Sequence, residues 1–253
     1  LKIYMSLIQS EKLLFPHFSF FPNVSADVVL NAFRVDSKFI NKESQHPQEV
    51  LLKQRKLKSG ESLFNSGDKL DCIYIVKSGT FKTLISIPDG RFQIVGFHMS
   101  GELLGLSGIA NRLHVGSCVA LEKSVAYELP WQFTDISTRS SLISLDNICR
   151  LLSLQIINDY KLMLLLGVMN SEERLIIFLL NLSERLLFNG FSASDINLSM
   201  SRAEIGEYLG IKVVNVSRIF GVLTKRGLIE VSGRRVRIID ITKLFEAAYS
   251  EVE

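Results

Sequence analysis

The chain has 253 residues, 47% of them hydrophobic, and a net charge of +3 at pH 7. That length supports two domains with cores of their own, and the apolar fraction excludes a disordered chain. The longest unbroken apolar run, residues 162–169, falls short of the ~18–20 residues that cross a bilayer, and no leader-like segment opens the chain, so a cytoplasmic protein without membrane contact is expected.

Residues 1–50 read as an N-terminal extension. Phe15, Phe18, Phe20 and Phe21 with Pro16 and Pro22 predict an irregular packed segment, residues 26–34 a short helix, and the polar stretch 44–48 a loop. From 51 to 135 the punctuation becomes regular, with turn signals at Ser59-Gly60, Ser66-Gly67-Asp68, Ser78-Gly79, Pro88-Asp89-Gly90 and Ser100-Gly101. Between and beyond them lie strand-like runs at 72–77, 80–87, 92–98, 115–121 and 125–129. Turns about every 7–12 residues, separated by β-branched and aromatic runs, predict an antiparallel sandwich or roll. The Pro88-Asp89-Gly90 corner is a hairpin tip.

After Trp131 the period changes. Over 140–169, Leu145, Cys149, Leu152, Ile156, Asp159, Met163 and Leu166 alternate by four and three residues, a coiled-coil seam that predicts a dimerisation helix. Packing within its own chain is the alternative. Asp159 falls in the seam, where a carboxylate costs free energy unless protonated or paired. It either makes dimerisation conditional or sits at the edge in solvent. A helix over 171–187 follows, with Ser171 as its cap, Glu172 and Glu173 in its first turn and Gly190 beyond its end.

The most informative stretch is 199–237, where eight basic residues face three acids, a net of +5, a bias that attracts a phosphate backbone. Ser201-x-x-Glu204 is a capping box that starts a helix; Ile205 and Leu209 give it one apolar face, and Gly210 permits a sharp turn. A second helix runs from 213 to 225 with Val216, Ile219, Phe220 and Leu223 as its buried stripe. Val214, Asn215, Ser217 and Arg218 face elsewhere near its leading end, the end that meets base edges in a helix-turn-helix. Arg218 is the candidate for direct readout, since its planar fork matches guanine O6 and N7, with Ser217 beside it. Ser201, Arg202 and Lys225 complete the candidate surface. Strand-like runs at 228–231 and 236–239 flank Ser232-Gly233-Arg234-Arg235, a wing whose Arg234 and Arg235 are expected on phosphate.

These motifs resemble the CRP/FNR family, in particular its FNR-like branch, over about residues 51–245. The matching stretches are G-x-x-L-F-x-x-G-D at Gly60–Asp68, Y-x-V-x-S-G-T at Tyr74–Thr80, G-F-H-x-x-G-x-L-x-G at Gly96–Gly105, N-x-E-E-R at Asn170–Arg174, and I-G-x-Y-L-G…V-S-R at Ile205–Arg218. The resemblance implies an α+β chain: a cyclic-nucleotide-binding-like jelly roll at 51–135, the dimerisation helix at 140–169, and a winged helix-turn-helix at 170–253. It implies a homodimer that binds double-stranded DNA at a palindromic FNR-like operator and acts on RNA polymerase, with the hairpin tip Ile87, Asp89 and Arg91 as a polymerase contact. An activator is favoured over a repressor.

Three departures from the family pattern shape the expected chemistry. Where cyclic-nucleotide binders carry Gly-Glu and Arg-Ser, this chain has Gly105-Leu106 and His114-Val115, so no cAMP is expected. Oxygen-sensing relatives hold a [4Fe–4S] cluster on four cysteines. Here residues 1–50 contain none and the internal position is Tyr127, so no cluster is expected. The recognition helix has Val214 where the FNR branch carries Glu, which leaves part of the operator unspecified. Haem-dependent or metabolite-dependent sensing stays as an alternative, since some relatives bind haem through His or Tyr, and an effector of unknown chemistry is left open. Cys72, Cys118 and Cys149 have no metal spacing and read as buried thiols. Without a clustered histidine set, P-loop, G-x-S-x-G or H-E-x-x-H, the chain is not expected to be an enzyme.

Overall fold

The computed structural model describes residues 53–130 and 145–249, with side chains at 145–148 excepted. The helix expected at 26–34, the loop at 44–48 and the aromatic segment before them lie outside the described residues. Two compact units part between residues 153 and 154.

Among the described residues the first unit has eight strands: β1 (Lys53–Leu57), β2 (Ser62–Phe64), β3 (Cys72–Ser78), β4 (Phe81–Ser86), β5 (Phe92–His98), β6 (Leu103–Leu104), β7 (Ser117–Ala120) and β8 (Ser124–Pro130). They form two four-stranded sheets, ordered β1-β8-β3-β6 and β2-β7-β4-β5, with every pairing antiparallel. Leu63, Phe64, Val76, Phe81, Leu104 and Cys118 belong to its hydrophobic core. In β3, Tyr74 and Val76 join that cluster, while Ile73 and Ile75 on the opposite face are buried as deeply. A strand covered on both faces reads as a continuous apolar run, which is why it was visible in sequence.

The strands β1, β2 and β6 were not predicted. β1 is a charged edge strand with four of its five residues exposed, a composition that protects an edge and hides the strand signal. Its Lys53 and Arg55 lie 3.3 and 3.9 Å from Glu128 on β8. The buried-thiol expectation holds for Cys118 alone: Cys72 is half-buried and Cys149 is exposed on a helix.

Helix α1 (Leu145–Val168) runs out of the first unit into the second. The second unit then comprises α2 (Ser171–Phe188), β9 (Asp195–Asn197), α3 (Arg202–Leu209), α4 (Val213–Lys225), β10 (Ile229–Ser232), β11 (Arg235–Ile238) and α5 (Ile241–Ala247). The cap of α2 is Asn170 and not Ser171. Asn170 Oδ1 accepts from the N–H groups of Glu172 and Glu173, and Glu173 Oε2 accepts from the Asn170 N–H, a full capping box. Beyond its end, Phe191 N–H donates to Leu186 O and Gly190 N–H to Leu187 O, closing the last turn as expected. Leu175, Ile176 and Leu179 of α2 are fully buried, making this helix the spine of the unit. The wing is a three-stranded sheet, ordered β10-β11-β9; β9 and α5 were not anticipated.

Candidate nucleic-acid interface

Two local devices set the angle between α3 and α4. Ser201 Oγ accepts from the Glu204 N–H at 3.2 Å, and Glu204 Oε2 accepts from the Ser201 N–H at 2.7 Å, so α3 starts at the predicted capping box. At the other end Gly210 takes φ 65°, ψ 37°, a left-handed conformation that favours glycine. One turn earlier, a Cβ on Gly206 would lie 2.4 Å from Ile211 O, so only glycine lets the turn fold back this closely.

The returned helix α4 buries Val216, Ile219, Phe220 and Leu223, the stripe read from sequence. The same rotation turns its leading end outward: Val214 is 74% exposed, Ser217 and Arg218 are exposed, and Asn215 is half-buried. The N-cap, Lys212, makes no side-chain cap, so the leading N–H groups carry partial positive charge. Lys225 is exposed in the last turn.

The structure redistributes three of the predicted cationic contacts. Arg202 turns inward, its guanidinium carbon 3.4 Å from the Phe220 ring centroid and its Nη1 buried with no hydrogen-bond partner. Burial lowers its pKa. The guanidinium is stacked against the buried stripe of α4 while the residue as a whole stays half-exposed. Arg235 forks onto Asp195 of β9, with Nε donating to Oδ1 at 2.7 Å and Nη2 to Oδ2. Arg234 Nη1 donates to Ser199 O at 3.3 Å and stays exposed. Sequence missed Asp195 because it lies 40 residues from Arg235 and on a strand of only three residues.

Along α1, the seam positions Cys149, Ile156, Asp159 and Met163 are exposed, and Leu152 and Leu166 are half-buried. Met163 is 69% exposed. The side chain of Leu145 lies outside the described residues. Burial falls instead on Leu151, Lys161 and Leu165, off the seam. Asp159 is solvated and accepts a hydrogen bond from Gln155 Nε2 at 2.9 Å. The stretch Cys149–Val168 is long and apolar enough to cross a membrane by length and composition, although no unbroken run of that length exists in the sequence.

In the first unit, the hairpin tip forms as predicted. Arg91 Nη2 lies 2.7 Å from Asp89 Oδ2, both side chains exposed, beside an exposed Ile87. His114 is buried and stacked on Phe64 with ring centroids 3.8 Å apart. Burial lowers its pKa, so it offers no cation. Tyr127 is a buried phenol without a hydrogen-bond partner, and burial raises the Cys118 thiol far above its ordinary pKa. Among the described residues no group of three His, Cys, Asp or Glu could hold a metal ion. His98 has both ring nitrogens engaged, with Thr83 Oγ1 2.9 Å from Nε2 and Glu102 3.7 Å from Nδ1.

Residues 54–135 match the cyclic nucleotide-binding domain family, and residues 173–247 match the Crp-like helix-turn-helix domain family. The chain is 40% identical over 205 residues to the transcriptional activator protein Anr of Pseudomonas protegens, covering 81% of this chain and 84% of that protein. It is 38% identical over 192 residues to electron transport regulator A of Shewanella oneidensis, covering 76% and 77%. Among solved structures, FixK2 from Bradyrhizobium japonicum is similar in fold, with a TM-score of 0.70 and 24% identity over 80% of this chain and all of that one. CooA from Carboxydothermus hydrogenoformans is similar with a TM-score of 0.64 and 17% identity, covering 90% and 97%.

Proposed function

The chain belongs to the CRP/FNR family of DNA-binding transcription regulators, and from that premise we propose that it works as a homodimer, with Arg218 and Ser217 reading base edges in two half-sites of a symmetric operator. One observation carries this reading: the stripe of α4 is buried while its leading end, with Val214, Ser217 and Arg218, stands in solvent. That geometry suits insertion into a major groove. Arg234 and Lys225 supply phosphate contacts that add affinity without sequence choice. Arg235 contributes less, because Asp195 already neutralises it.

The pairing surface is α1. Ile156 and Met163 of its seam are exposed in the single chain and Leu152 and Leu166 are half-buried, and a helix that is apolar on an uncovered face is stabilised by a twin at the same positions. Coverage by a twin also accounts for the helix's apolar character without a membrane. Transcriptional activation is the preferred output, supported by the name of the Pseudomonas relative. RNA polymerase is the implied partner, with Ile87, Asp89 and Arg91 as its contact.

No cAMP, iron–sulfur cluster or haem is assigned to the chain. The support is the buried neutral His114 at the phosphate position, Tyr127 at the internal cluster position, and the engaged ring nitrogens of His98. Random-site selection on the purified protein, run with and without a metabolite pool, tests the reading. A two-fold symmetric consensus is expected; enrichment of no sequence would overturn it.

A further inference from the structure

The Asn170–Arg174 run supplies none of the residues proposed to read DNA, yet it gathers the ends of four helices. Arg174 uses all three of its nitrogens. Nε donates to Met169 O at 2.8 Å, Nη2 to Leu166 O at 2.7 Å, and Nη1 to Leu209 O at 3.0 Å. Leu166 O lies in the last turn of α1 and Leu209 O ends α3, so both are carbonyls without a partner inside their own helices. Each also sits at the negative end of a helix dipole, where a cation is favoured. A planar guanidinium can meet carbonyls in this fan, whereas a Lys ammonium is a single point charge.

The neighbouring residues tie in the remaining ends. Glu172 Oε1 accepts from Arg226 Nη1 at 2.5 Å, and Arg226 is the C-cap of α4. The capping box of Asn170 and Glu173 holds the first turn of α2 in place beneath both contacts. A Cβ on Gly210 would lie 3.4 Å from Arg174 Nη1, which is ordinary contact, so the clamp packs directly against the turn while the turn's φ of 65° is what favours glycine there.

We propose that Arg174 and Glu172 are positioning residues: they fix the angle between α1 and the α3–α4 pair, and so restrict the operator to one half-site spacing. The inference rests on the reading above that two chains pair along α1. In such a pair any rotation at the joint moves the two recognition helices relative to each other. One extra base pair displaces a half-site by ~3.4 Å and turns it by ~34°, so a rigid joint tolerates one spacing and a loose joint several.

The test measures binding of the full chain to three DNAs: the selected operator, the same operator with one base pair added between half-sites, and a lone half-site. Wild type is expected to favour the selected spacing by about tenfold or more. Arg174→Lys and Glu172→Gln are each expected to reduce that preference to about twofold, with the base choice within each half-site unchanged. Arg226→Gln is expected to match Glu172→Gln, and this pair decides the matter if Arg174→Lys does not fold. Variants that keep the wild-type spacing preference would overturn the proposal, as would an equal loss of affinity on all three DNAs, which marks a stability role alone. Wild type that binds a lone half-site as tightly as the full operator would instead overturn the paired reading, and the joint's role with it.

Discussion

His114 lies face to face on Phe64, with ring centroids 3.8 Å apart and planes 10° from parallel. Its Nδ1 is buried without a hydrogen-bond partner, and desolvation holds its pKa below 6.5 against the opposing pull of Asp68 and Asp71. The folded pKa is therefore lower than the unfolded one, and the unfolded chain takes up a proton first as pH falls. Stability is expected to decline as pH drops below about 6.5. His114→Phe is expected to flatten that slope in urea midpoints measured from pH 7 to pH 5. The same stack predicts that saturating cAMP leaves the thermal midpoint of the wild type unmoved; a rise would show binding to the native state.

Lys161 on α1 is only 8% exposed, and burial lowers its pKa to about 8, with Glu184 pulling the other way. Between about pH 8 and the ordinary lysine value near 10.4 the unfolded state binds more protons. Stability is expected to rise with pH through that window, and the desolvation penalty is present in full below it. Lys161→Met is expected to be more stable than wild type at pH 7 and to lose the dependence. Equal midpoints for the two proteins at pH 7 and pH 9 would contradict this.

Arg218→Ala is expected to weaken binding to the preferred operator by about 1–3 kcal/mol while leaving weak non-specific binding in place. Arg234→Ala is expected to weaken binding to all sequences alike and to lower the steepness of the salt dependence by about one ion. Mobility shifts on specific and scrambled DNA across a salt series separate the two. If Arg218→Ala leaves the specific-to-scrambled ratio unchanged, the readout assignment is wrong.

Asp159→Ala is expected to tighten the dimer, because the solvated carboxylate seen in the single chain loses water when two copies meet. Sedimentation over a dilution series reads this directly. A monomer–dimer midpoint that does not move removes Asp159 as a control on pairing.

What could be read along the chain was whatever short-range chemistry specifies. The Ser201–Glu204 box, the Gly210 turn and the 3.6-residue stripe of α4 each lie within a few residues, and each dictates its own geometry. The turn punctuation likewise revealed the strands from β3 to β5, together with β7 and β8. Edge strand β1 stayed hidden, because its charged sequence has no inward face to alternate and becomes a strand only by pairing with β8.

Tertiary structure alone decided the pairings that join distant positions. Arg202 looked like a surface cation until Phe220, eighteen residues on, was folded beneath it. Arg235 looked free until β9 brought Asp195 alongside. Arg174 was one letter of a motif until the carbonyls of Leu166, Met169 and Leu209 converged on its guanidinium. The physical reason is the same in each case. Local periodicity sets where a helix or strand starts, stops and faces. The partner of a long charged side chain depends on which remote backbone or carboxylate the packed core carries to it.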